Sequence, residues 1–436
     1  MSDYIYMLES HLSPDQNRVV DDVQTAAGQA NVNVFLTGGA MRDMLAGFRI
    51  RDLDFVVEGN GLKIAKSICE RTGATVTHTD DNRKCVELVF PSGVTAQVAM
   101  SRQEKYARAG AKPQVSAATI QEDLRGRDFT CNAIALSLNR ASRGLLLDPM
   151  NGLADIERKE LRSVSTYGFY DDPSRLLRLV RYRVRLGYTV EERTLMQVAN
   201  AREAEVEKSI TGRALGEELK RISAEDSPTE IFKGLEEAGL LPLLSPALLT
   251  KLNTVGLAKY EKAIRVLPDD TRWRSARFGT FMFCLMEKLA PKDKAALIKT
   301  TELSKADTDQ FQKIDAKAKK LETALRAPKI RKPSHVYHVV VAAAPEDVLF
   351  LLYHSAVKPV QERLRNYFQK YLPTVQEIPP EEWDTIEPKP GTPKYAKARD
   401  EFITEILNRK PKKVVEEEPV PPPPPDPEPV AGRRGR

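Results

Sequence analysis

The stretch from Leu36 to Val57, LTGGAMRDMLAGFRIRDLDFVV, constrains the fold more than any other, because short apolar runs alternate there with a glycine turn and two closely spaced acids. Residues 33–37 (NVFLT) predict a buried strand. Gly38 and Gly39 predict a turn, Ala40 to Leu45 the start of a helix, and Leu53 to Val57 a second strand. Two glycines let the backbone approach a phosphate closely. Their amides, with the positive end of the following helix, would cradle a triphosphate, and Arg42 adds a forked donor suited to phosphate oxygens.

Asp52 and Asp54 lie two residues apart, so in an extended run both carboxylates leave the same face and can ligate hard divalent cations. Two ions about 4 Å apart would activate an attacking hydroxyl and steady a leaving pyrophosphate. A bare Asp-x-Asp is common in polar loops. The upstream Gly-Gly-x-x-Arg-Asp at this spacing turns the reading toward nucleotidyl transfer, with Asp52 and Asp54 as catalytic and metal-binding residues.

This combination resembles the class II branch of the polymerase-β-like nucleotidyltransferases, the bacterial CCA-adding enzymes and their poly(A) polymerase relatives. EDLRGRDFTCNAIALSLN (122–139), DPMNGLADIERKELRSVS (148–165) and DDPSRLLRLVRYRVRLGY (171–188) follow in that family's order, and past them the match thins. The resemblance implies an α+β fold: a polymerase-β-like nucleotidyltransferase head, a mixed sheet with helices, followed by an all-helical neck, body and tail. It also implies Mg2+ as cofactor, CTP and ATP as substrates and the 3′ end and elbow of tRNA as partner.

By the same resemblance Gly38, Gly39, Arg42 and Arg127 bind the triphosphate. Arg127 matches the arginine before the aspartate of an Arg-Arg-Asp triplet, while Gly126 departs from the first arginine, for which Arg125 could substitute. Asp128 reads as structural, holding Arg127 or a ribose hydroxyl, rather than as a metal ligand. Asp172 and Arg175 match a protein template that hydrogen-bonds the base edges of CTP and ATP, and Arg178 and Arg181 match later nucleotide contacts. The logic is chemical: a carboxylate accepts from the exocyclic amine that C and A share, and a guanidinium donates to the adjacent ring nitrogen. From residues alone, Arg175, Arg178, Arg181 and Arg185 share one side of a helix beside Leu177, Val180 and Val184, and could equally pair with nearby acids. Relatives place an acid where this chain has Gln97, and an amide cannot act as a base. Glu104, in an RxExY pattern, reads as ordering its loop.

Composition agrees without deciding. The 436 residues carry a formal charge of +6, mild for a nucleic-acid binder. Mean hydropathy of -0.41 predicts a water-soluble chain, with no transmembrane helix and no signal peptide at MSDYIYMLES. Cys69, Cys85, Cys131 and Cys284 lack CxxC spacing and predict small core residues in a reducing cytoplasm, without zinc. No histidine precedes an aspartate, so a phosphohydrolase dyad is absent. No membrane contact and no obligate protein partner are evident.

Ser13 and Pro14 predict a helix to about Gln29, residues 62–71 another, and 85–90 with 94–100 a hairpin around a PSG turn. Thr75 to Lys84 reads as a loop. After about Ser163 amphipathic helical patterns dominate, broken by Pro228, Pro242, Pro268 and Pro291. Lys317, Lys319, Lys320, Arg326, Lys329, Arg331 and Lys332 could follow an RNA backbone or be a solvated helix face. Lys389 to Leu407 resembles the family's tail helix, without its usual lead-in. The expected division is head 1–150, neck with base-selecting motif 151–225, body 226–330, RNA-binding tail 331–409, and a disordered proline-rich segment 410–436. Three outcomes stay open: CCA addition, a poly(A) polymerase or partial CC- or A-adding enzyme, and an inactive RNA-binding protein.

Overall fold

The computed structural model describes residues 3–392 and 394–409, so the proline-rich segment lies outside the described residues. The N-terminal part contains nine strands: β1 (Val34–Thr37), β2 (Leu53–Val57), β3 (Thr75–Asp80), β4 (Cys85–Val89), β5 (Thr95–Met100), β6 (Arg102–Lys105), β7 (Gln114–Ala117), β8 (Ala135–Ser137) and β9 (Leu146–Leu147). Seven form one mixed sheet in the order β3-β4-β5-β2-β1-β8-β9, and β6 with β7 makes a separate hairpin. β1 runs antiparallel to β2 and β8, while β2 is parallel to β5. All four residues of β1 are buried, as a strand flanked on both edges and covered on both faces requires.

Helices α1 (Asp3–His11), α2 (Pro14–Gln29), α3 (Gly38–Leu45), α4 (Gly61–Thr72) and α5 (Ile120–Arg125) lie in the same N-terminal part. Ser13 caps α2 in a capping box with Gln16, and Pro14 occupies its first turn, the two signals read from sequence. One sheet face, with Leu36, Phe55, Val98 and Leu88, packs into the main core with Met41, Met44, Ile64 and Ile68. On the other face Phe35, Val56 and Ala135 meet Ile120 and Leu124 of α5. Along that second face, Asp54, Gln97, Glu87 and His78 align across β2, β5, β4 and β3, and Glu87 and His78 at its outer end are exposed.

Residues 75–80 correct the expected loop. They form β3, an edge strand whose TVTHTD has no apolar alternation to read, because five of its six residues face solvent and a bulge interrupts its register at Val76/His78. A polar, bulged edge resists pairing with another sheet.

The rest is helical apart from a two-residue pairing of Glu160–Leu161 with Thr189–Val190. It opens with α6 (Gly152–Arg158), α7 (Gly168–Asp171), α8 (Arg175–Leu186), α9 (Glu192–Glu203), α10 (Gly212–Ala224) and α11 (Pro228–Glu237). Pro228 and Pro291 stand in the first turns of helices. No single helix among the described residues is long and apolar enough to cross a membrane. The apolar pair Pro333–Val341 and Pro345–His354 is bent by 119° and contributes Val336, Val340 and Val348 to the core. The four cysteines are free, and all but Cys69 are buried.

Candidate active site

Three short elements build the site. β2 carries Asp54 as its second residue, opposite Thr37 of β1 and Gln97 of β5. Asp52 lies just before the strand, exposed, and accepts one long contact of 3.5 Å from Thr95 Oγ1. Gly38 starts α3 at φ +64, a conformation that favours glycine. A Cβ there would sit 3.2 Å from Asp54 Oδ2 and 3.7 Å from an Arg127 guanidinium nitrogen. One at Gly39 would lie 3.6 Å from the same Asp54 oxygen. The glycine turn, Asp54 and Arg127 therefore meet at one point.

Burial, and then the neighbouring Asp52 charge, push the Asp54 carboxyl up to about 6 against the pull of Arg127 and a hydrogen bond from the Gly39 amide. A buried carboxylate beside a second one suits a divalent cation. Among the described residues no cluster of three His, Cys, Asp or Glu is poised for a metal. The protein thus offers two hard oxygen donors and leaves further positions to phosphate and water, which is how Mg2+ is commonly bound beside nucleotides.

Arg127 is positioned by Asp123, which accepts from its Nε at 2.8 Å and lies 2.7 Å from a terminal nitrogen. That grip leaves the other terminal nitrogen facing the glycine turn. Asp128 is buried, and its partners do not include Arg127, which Asp123 holds: it accepts from Asn132 Nδ2 (2.9 Å) and the Phe129 amide (2.8 Å) and lies 3.5 Å from Arg178. Burial opposes its ionisation, but Arg178 and Asn132 hold it below the usual carboxylate range.

At the start of α8, Asp172 accepts from the Ser174 amide and hydroxyl and from Arg178 at 3.0 Å. Arg175 donates to the carbonyls of Gly126 (3.0 Å) and Arg127 (3.2 Å), while its Nε is buried without a partner, 4.0 Å from Asp172 Oδ2. Asp172, Arg175 and Arg178 therefore form one cluster, stitched to the Arg127 segment through its backbone.

Arg42 and Arg181 are placed differently from Arg127. Arg42 is buried beneath the glycine turn, its donors bound to Asp43 (2.7 and 2.9 Å) and Asn132 (2.7 Å), its face on Tyr182. Arg181 is 4% exposed and held by Glu218 (2.6 Å) and Glu225 (3.2 Å). Both guanidiniums are occupied by protein partners and closed to a nucleotide in this conformation. The supporting residues Asp43, Asp123, Asn132 and Glu225 were not singled out from sequence. Asp43, Asp123 and Asn132 lie inside the motifs given above, and nothing local marks Glu225.

Two neighbouring acids, a glycine turn that opens a helix and a guanidinium free on one side are the groups that nucleotidyl transfer calls for. Residues 34–162 match the Poly A polymerase head domain. Over 413 residues the chain is 27% identical to an A-adding tRNA nucleotidyltransferase of Geobacter sulfurreducens, covering 93% of this chain and 46% of that protein. A CC-adding tRNA nucleotidyltransferase of Deinococcus radiodurans is 33% identical over 235 residues, 54% of this chain and 61% of that one. The Thermotoga maritima CCA-adding enzyme, solved with tRNA, shares the fold with a TM-score of 0.51 at 23% identity, covering 93% and 95% of the two chains. The chain spans about half the length of the curated relatives it matches.

Proposed function

We propose that this chain adds C and A to the 3′ end of tRNA, without a nucleic-acid template, by metal-dependent nucleotidyl transfer from CTP and ATP. The observation that carries the reading is the meeting of Asp54, the Gly38-Gly39 turn and Arg127 where the central strands β1 and β2 end. The relatives' names support tRNA as substrate. Mg2+ and a cytoplasmic location belong to the same reading, as does the division into head, neck, body and tail at 150, 225 and 330.

In the reaction the terminal ribose 3′-oxygen bonds to the α-phosphorus, loses its proton, and the bond to the bridging oxygen breaks to release pyrophosphate. A divalent cation held by Asp52 and Asp54 would supply charge neutralisation for the attacking oxygen and the phosphates. Arg127 and the amides of the glycine turn orient the triphosphate. Asp172 accepts from the exocyclic amine of C or A, and Arg175 donates to the ring nitrogen beside it, with Arg178 alongside. For this Arg175 exchanges its hold on the Gly126 and Arg127 carbonyls for the base.

Three tRNAs, ending before CCA, after C and after CC, each given CTP and ATP separately and together, test the reading by product sequencing. Terminal CCA on the first substrate supports it. Three of the relatives are A-adding enzymes, which favours a second reading in which only the last substrate is extended, by one A. Open-ended A tracts identify a poly(A) polymerase, and no product from any arm overturns both.

A further inference from the structure

Asp54 and Asp52 are held in different ways. The ladder to β1 on one side and β5 on the other fixes Asp54. Asp52 ends an irregular stretch, residues 48–52, and its carboxylate has only the long Thr95 contact. Its chain neighbours do the anchoring. Ile50 is 1% exposed, and its carbonyl accepts from Gln16 Nε2 at 3.2 Å. Arg51 reaches the end of α10, donating one terminal nitrogen to Glu225 (3.0 Å) and the other to Asp226 (3.1 Å).

The receiving acids are fixed in turn. Glu225 is 4% exposed, and its second oxygen accepts from Arg181 at 3.2 Å and lies 3.8 Å from Arg185, both on α8. Arg185 lies 2.7 Å from Asp43 beside the glycine turn, and Asp226 is held by Arg277 at 3.0 Å. Glu225 thus touches both the Asp52 loop and the helix whose first turn carries Arg175.

We propose that Arg51 is a positioning residue for the cation site: its two-pronged grip on Glu225 and Asp226 keeps Asp52 opposite Asp54, and Glu225 ties that loop to α8. This rests on the nucleotidyl-transfer reading for its purpose. An acid on irregular backbone holds a ligating geometry only when its neighbours are tied down, and displacement by about 1 Å can cost up to about a hundredfold in rate. A fork bridging two separate carboxylates does what a single ammonium does less well.

The test is Arg51→Met, which leaves Glu225 with two arginines and Asp226 with Arg277, so no buried carboxylate is stranded. Mn2+ binding to the full chain, followed by electron paramagnetic resonance without tRNA, is expected to weaken about tenfold. Arg51→Lys should recover part of it. Turnover should fall with KM for CTP or ATP unchanged, and the melting curve should stay close to the parent's. A folded Arg51→Met protein whose Mn2+ affinity and turnover stay within about twofold of the parent's overturns the proposal. If that variant does not fold, Asp226→Asn, which loosens one prong, carries the same readings, expected to change about threefold, and no change overturns the proposal. Failure of the parent chain to extend any tRNA sinks the function instead, while the Mn2+ measurement still decides the role of Arg51.

Discussion

On β2 Asp54 is placed by the backbone ladders to β1 and β5, and its carboxylate stays largely unspent, taking the Gly39 amide. On α8 the arginines are placed by what their own guanidiniums hold, from the Gly126 and Arg127 carbonyls at its start to Glu218, Glu225 and Asp43 further along. A residue at the start of a strand can leave its carboxylate to a ligand, because the backbone ladder already holds it. A helix packed between two layers must neutralise nearly every charge it carries, because an unpaired buried charge costs several kcal/mol. Substitutions on β2 should therefore strike chemistry and spare the fold, and those deep in α8 should do the reverse.

The sharpest break of that contrast would come from Asp54→Ala. Incorporation of C and A is expected to fall by about 10³-fold or more while the melting temperature holds, and a variant that still extends tRNA at a tenth of the parent rate removes β2 from the chemistry. Arg181→Ala is the mirror case. Leaving Glu218 and Glu225 short of a partner should cost about 3–5 kcal/mol in urea unfolding, with activity per folded molecule kept within about threefold.

A pH series sharpens the β2 side. With its carboxyl raised to about 6 in the folded protein, Asp54 holds a proton that the unfolded chain releases near its ordinary value of 3.8. The folded state binds more protons across that window, so this group's contribution to stability falls as pH rises from about 4 to about 6. A divalent cation relieves the cost of the charged form. The rise in melting temperature on adding Mg2+ should therefore be large at pH 7 and shrink below about pH 6, and an equal rise at pH 5 and pH 7 would show that Asp54 takes no part in binding it. The smallest effect is expected from Thr95→Val, whose long bond to Asp52 is worth about 0.5 kcal/mol, or two- to threefold in Mg2+ affinity by titration of the rate.

The strand, glycine turn, helix and second strand were legible because each is specified by neighbouring residues. β3 was not, since an exposed edge strand has no buried face to impose alternation on TVTHTD. The acids of the site were legible for the same local reason. Arginine spacing on α8 showed which guanidiniums share a side, but not what they meet: the partners of Arg181 lie 37 and 44 residues away, on an element whose packing no local pattern announces. The pairing of Arg42 with Asp43 is equally hidden, because Gly-x-x-Arg-Asp looks alike whether the arginine faces a ligand or closes on the aspartate beside it.

The seating of β2 between β1 and β5 has a kinetic corollary. Amide protons flanked by two strands exchange with solvent only when the whole sheet opens, whereas those of an irregular segment exchange through small local fluctuations. Warming the protein should thus let deuterium into residues 48–52 well before it enters β2, and catalysis should fade on the schedule of the first event, ahead of the cooperative melt.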